Sequence, residues 1–232
     1  MCFSASASFI AGTSLSAVGV ATLKRTDTRR EQPLAAIPLL FGVQQLAEGV
    51  IWLTFRYDAP LLRQMMTYVY TGFSHVLWPM YVPFAMGVLE TVRWRKRMFV
   101  AIEGVGIAVG LYLLLSLVTH SVVAQVLGMH IVYVSPLFYK VPEVALYLTA
   151  TCVSCFLSSH RFVRLFGALA LVSFVASYLA YSWAFVSIWC FFAAVLSLLI
   201  YVHIRFRHLR SEAIAPNTVP DAPQVADAHC AS

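Results

Sequence analysis

Residues 93–119 read RWRKRMFVAIEGVGIAVGLYLLLSLVT. Four basic side chains occupy five positions, and then Glu103 is the one charge in a long apolar run. A helix needs about 20 apolar residues to cross the hydrocarbon core of a bilayer, so 98–119 is long enough to span it. Lys and Arg in short loops stay on the cytoplasmic side, so the cations ahead of the run mark its inner end. The same arrangement recurs along the chain. Lys24, Arg25, Arg29 and Arg30, then Arg93, Arg95, Lys96 and Arg97, then Arg161 and Arg164, then Arg205, Arg207 and Arg210 account for thirteen of the sixteen Lys and Arg residues. Arg56, Arg63 and Lys140 fall in the alternate connections.

Working outward from these clusters gives seven spans, about 5–23, 34–54, 65–90, 98–119, 141–159, 165–182 and 184–204. The expected fold is all-α, a polytopic transmembrane bundle of about seven helices. Its amino terminus lies outside and its carboxyl terminus inside. Composition agrees: 60% of the residues are apolar and 11% charged, with a mean hydropathy of +0.79. A soluble domain carries roughly 25% charged residues. The net charge of +6 sits in loop-end anchors against lipid headgroups, so the partner it implies is the bilayer and no nucleic acid. No basic residue precedes the first span, as a secretory signal would require, so that span reads as an uncleaved anchor. Its Ser4, Ser6, Ser8, Gly12, Thr13, Ser14, Ser16 and Gly19 suit close helix packing inside the bundle. Two domains follow: a helical bundle over 1–210 and a disordered cytoplasmic tail over 211–232, which is rich in Ala, Pro and Asp. Residues 120–140 are long and still apolar, and read as a structured outer cap at the interface.

Polar groups inside spans carry the functional signal, because an ionisable side chain at mid-bilayer costs on the order of 2.5–3.5 kcal/mol. Gln44, Glu48 and Trp52 repeat every four residues and share a helix face, with Gln45 beside them. That face must look into the bundle, where it either binds a ligand or ties helices together. His75 lies just before Pro79 and Pro83, which free backbone carbonyls in the third span and open room for a cavity. Glu143 opens the fifth span, with Tyr139 and Tyr147 one turn to either side. Glu103 lies near the basic cluster ending at Arg97, where an ion pair at the inner end accounts for it. The candidate ligand-binding residues are therefore Gln44, Gln45, Glu48, Trp52, His75, Glu143 and Tyr147.

Depth brings a second set together. Cys2, Glu48, His75, His130 and Cys190 fall towards the outer side, and thiolate, imidazole and carboxylate suit zinc, copper or iron. A transition metal or haem is the cofactor this alternative implies. Cys2 and Cys190, both on the oxidising side, would pair as a disulfide if their Cα atoms lie within about 7 Å. Cys152 and Cys155 lie deep in the fifth span and read as small packing residues rather than a redox pair. His160, in the turn Ser158-Ser159-His160-Arg161, reads as a helix cap. The seventh span has no lysine for a retinal Schiff base. Phosphate-binding glycine loops and zinc-protease or serine-hydrolase motifs are also missing from the sequence.

The opening MCFSASASF, with IPLLFGVQQ at 37–45, Glu48-Gly49, Trp52, Trp78-Pro79, Glu90, SSHR at 158–161 and WCFF at 189–192, resembles an uncharacterised family of small bacterial multi-pass membrane proteins. The resemblance implies a bacterial inner-membrane location and brings no activity with it. The expected function is binding, sensing or conducting a small solute or ion in an outward-facing cavity around Gln44 and Glu48. The alternative is a membrane enzyme or redox protein with a metal or haem near Cys2, Glu48, His75 and His130.

Overall fold

The structure, a computed structural model, describes residues 4–134, 141–180 and 184–214, with side chains as far as residue 207. It contains the seven expected helices: α1 (Ala5–Leu23), α2 (Gln32–Arg56), α3 (60–89), α4 (Arg93–Thr119), α5 (Val141–Phe156), α6 (Arg161–Ala180) and α7 (Phe185–Ile214). Five of them, α1, α2, α4, α6 and Phe185–Arg207 of α7, are long and apolar enough to cross a membrane. The helices start where the chain chemistry favours it. Ser4 caps α1 by accepting the Ala7 N–H, and Pro33 and Pro60 sit in the first turns of α2 and α3, where an amide hydrogen is not needed. The last helix outruns its expected end at 204 and continues to Ile214; the rest of the proposed tail, from 215, lies outside the described residues, as does Cys2.

Helices α1 and α2 make the closest pair. A Cβ on Gly19 would strike the Leu39 backbone, and one on Gly42 would strike Ser16. Small residues thus let two backbones approach without intervening side chains, as the first span's composition leads one to expect.

Helix α3 departs from regularity at 72–77, a π turn. The Trp78 N–H bonds to the Phe73 carbonyl, one residue beyond its α-helical partner. Ser74 therefore loses its normal donor, and Pro79, next in line, has no N–H to replace it. The freed Ser74 carbonyl accepts the Tyr147 hydroxyl of α5. A second π turn, Thr149–Val153, lies in α5 beyond that contact. Cys152 and Cys155 are fully buried there, and Cys155 packs on Gly167 of α6, so both are packing residues.

The bundle has two unlike ends. At one, Arg207 of α7 forms a bidentate pair with Glu31 (2.7 and 2.6 Å), and Arg95 of α4 donates to the Leu157 carbonyl (2.8 Å). The buried Glu90 carboxylate closes this end. It accepts the N–H groups of Thr91, Val92 and Ser159 and the Ser159 hydroxyl, at 2.7–3.0 Å. These contacts join the first basic loop to the last and the second to the third. The opposite end carries a hairpin, β1 (Val123–Leu127) paired antiparallel with β2 (His130–Val134). Gly128, at φ +61°, supplies the positive φ that a two-residue II′ turn needs at its first central position. The expected outer cap is thus a β-hairpin over 123–134. It interrupts an otherwise all-α architecture among the described residues; 135–140 fall outside them. Tyr133 stacks on Tyr70 of α3 (4.4 Å), Gln64 donates to the Val122 carbonyl (2.9 Å), and Val132 packs with Ala184 and Ile188.

Candidate functional site

Gln44, Gln45 and Glu48 are all buried within α2. The Trp78 indole of α3 donates to Gln44 Oε1 at 2.8 Å, and the Ser187 hydroxyl of α7 donates to Glu48 Oε1 at 2.6 Å. Cys190, one turn after Ser187, lies against Gln44 and Tyr70, with Glu48 close enough to act on its thiol. Residues from α2, α3 and α7 thus meet around one polar centre. It lies in the hairpin half of the bundle, near the start of α7 and under the Tyr70–Tyr133 stack.

Beside this centre is a small cavity of about 40 Å³, with apolar walls that include Phe41, Trp78, Tyr147, Trp189 and Cys190. Trp78 and Cys190 belong to both the cavity and the polar centre. A void of roughly 15 Å³ suffices for one water, so this space admits water or a very small solute. The Gln44 amide nitrogen is fully buried beside the Cys190 thiol and has no oxygen or nitrogen acceptor. A buried unsatisfied donor costs about 1–3 kcal/mol, and an acceptor bound beside it would offset that.

The other candidate residues divide. Tyr147 joins the cavity, edge-on to Trp189 at 5.8 Å. His75 is buried within the π turn with its Nδ1 2.7 Å from the Ser74 hydroxyl, so it serves the local bonding of α3. The Gln45 amide and Trp52 indole nitrogens are buried without hydrogen-bond partners. Glu143 accepts from the Tyr112 hydroxyl of α4 at 2.9 Å, away from Gln44 and Glu48, and Tyr139 lies outside the described residues. Among the described residues Glu103 forms no ion pair with the basic cluster, and its Oε2 is buried without a hydrogen-bond partner.

Among its described members, Glu48, His75, His130 and Cys190, the metal set does not assemble. Among the described residues no three His, Cys, Asp or Glu side chains are placed to hold a metal ion. His130 belongs to the hairpin and His75 to the α3 π turn, while Glu48 and Cys190 lie between α2 and α7. Burial holds the His130 imidazole below its usual value. Cys190 is a free thiol, and the pairing with Cys2 falls outside the described residues. His160 follows Ser158, whose hydroxyl accepts the His160 N–H at 3.2 Å, and its own carbonyl accepts the Arg164 N–H. Sequence reasoning missed Ser187, Trp78 and Tyr70 as the partners of the α2 face. Ser187 stands three residues before Cys190, so helical spacing alone could have drawn attention to it.

A carboxyl and an amide enclosed by apolar helices define a polytopic membrane protein with a polar centre inside its bundle. The chain belongs to the DUF6629 family, a family of unknown function, which it matches over residues 1–215. No curated protein and no solved structure matches it.

Proposed function

We propose that this is a bacterial inner-membrane protein that binds a small solute or ion at the Gln44–Glu48 centre. Its hairpin end faces outward and its basic end faces the cytoplasm, so the amino terminus is outside and the carboxyl terminus inside. The observation that carries this reading is the buried Gln44 amide nitrogen without an oxygen or nitrogen acceptor, next to a cavity that shares Trp78 and Cys190 with the polar centre. Glu48 supplies a carboxyl whose proton or charge would couple to the bound species.

The test is a thermal-shift series on detergent-purified protein with alkali and alkaline-earth chlorides, small carboxylic acids and small amides. Ligand at about a hundred times its dissociation constant stabilises by roughly 2.7 kcal/mol, or several degrees for a chain of this size. We expect at least one probe to raise the midpoint in wild type and not in Gln44→Leu or Glu48→Ala. Shifts that persist in both variants, or no shift with any probe, overturn the reading.

A further inference from the structure

A groove of about 300 Å³ lies between helices α3 and α4 at the basic end. Its floor is Gly87 against Phe99, where a Cβ on Gly87 would come within 3.1 Å of Phe99 Cβ. Phe84 (47% exposed) and Val100 (68% exposed) form open apolar walls, and no other part of the described chain covers them. Arg30 of the α1–α2 loop and Lys96 of α4 stand at the mouth of the groove. Glu103, seven residues and therefore roughly 10 Å along α4 from Lys96, lies at the deep end. Its Oε2 is buried without a partner.

We propose that this groove is a binding site for an anionic glycerophospholipid. The phosphate sits between Arg30 and Lys96, which no carboxylate pairs among the described residues. One acyl chain lies along Phe84, Val88 and Val100. Charge at the mouth and an apolar trough below it thus stand in the order in which such a lipid presents its phosphate and its acyl chain. Basic pockets between helices at the cytoplasmic face are the setting in which anionic headgroups are held, at about a fivefold gain in affinity for each cation.

The experiment is lipid competition on the full chain in nanodiscs of phosphatidylcholine with a minor fraction of phosphatidylglycerol, read by native mass spectrometry of retained lipid. Wild type should retain phosphatidylglycerol selectively. Arg30→Ala/Lys96→Ala should lower that preference about tenfold or more, while Arg56→Ala/Arg63→Ala, which removes two cations at the opposite end, should leave it intact. Val100→Trp fills the groove without touching a charge, and should displace the lipid while leaving helix content and thermal midpoint near wild type. Equal losses in the two double variants, or retention in Val100→Trp, overturn the proposal. So does full competition by glycerophosphoglycerol, which carries the headgroup without chains.

Discussion

At the scale of single residues, two buried glutamates show how environment assigns a role. Glu90 spends all its acceptor capacity on the turns at the basic end, receiving four hydrogen bonds from three residues. Removing it leaves the Ser159, Thr91 and Val92 donors without partners. Hydrogen bonds to a charged group contribute about 1.5–3 kcal/mol each, so Glu90→Ala should destabilise by several kcal/mol, and Glu90→Gln by less. Chemical denaturation in mild detergent measures both, and near-wild-type stability of Glu90→Ala would show that the clamp is redundant. Glu48 receives a hydrogen bond from Ser187 and stands beside Gln44 and Cys190. Glu48→Gln keeps the acceptor for Ser187, so the fold should survive within about 1 kcal/mol while ligand-induced stabilisation falls. The sequence alone singles out Glu48 through its four-residue spacing from Gln44. It makes Glu90 no more than part of a resemblance, because a carboxylate at a helix end looks like any loop charge until the Ser159 turn is seen folded over it.

At the scale of elements, the third helix is where pattern reading reached furthest and then stopped. The prolines at 79 and 83 announce an irregular helix, and a freed carbonyl follows from a missing N–H. The partner of that carbonyl was not legible, since the Tyr147 hydroxyl comes from 73 residues away. The Ser74 hydroxyl and His75 are nearer in sequence, but the carbonyl took the tyrosine. The hairpin was hidden for a related reason. Residues 123–134 are apolar on both strands, because Ile131, Val132 and Tyr133 press on the bundle, so no clean alternation betrays β structure. Tyr147→Phe removes a donor that α3 needs only because Pro79 cannot supply one. It should cost about 1 kcal/mol in wild type and much less in Pro79→Ala, where an alanine N–H can reach Ser74. A double-mutant cycle on thermal or chemical stability reads the coupling. Additive effects would mean that the tyrosine bond and the proline are independent.

At the scale of the whole molecule, the four basic clusters that set the topology are joined in pairs, the second to the third and, through one ion pair, the first to the last. Arg207 holds Glu31 in a bidentate grip, with Asp27 3.6 Å away, and so ties the α1–α2 loop to the end of α7. The side-chain hydrogen bond from Arg207 is the main cause that holds the Glu31 carboxyl below its usual value. A carboxyl whose folded-state value is depressed stabilises fully above the unfolded value, about 4.3 for Glu, and loses that contribution as pH falls through the lower folded value. Wild type should therefore lose stability between roughly pH 5 and 3 more steeply than Arg207→Gln, which removes the largest cause of that depression. Near pH 7 the two should differ by about 1 kcal/mol or less, since Arg207 is 42% exposed and solvent screens the pair. The same linkage bears on topology. Single cysteines at Arg29, Lys96 and Arg164 should be protected together from a membrane-impermeant maleimide added to intact cells, while one at Met129 in the hairpin turn should react. Labelling of any of the first three from outside would mean that the basic end does not face the cytoplasm. The Glu31–Arg207 pair would then sit at the bulk pH outside the cell, and growth medium acidified to about pH 4 would weaken it directly.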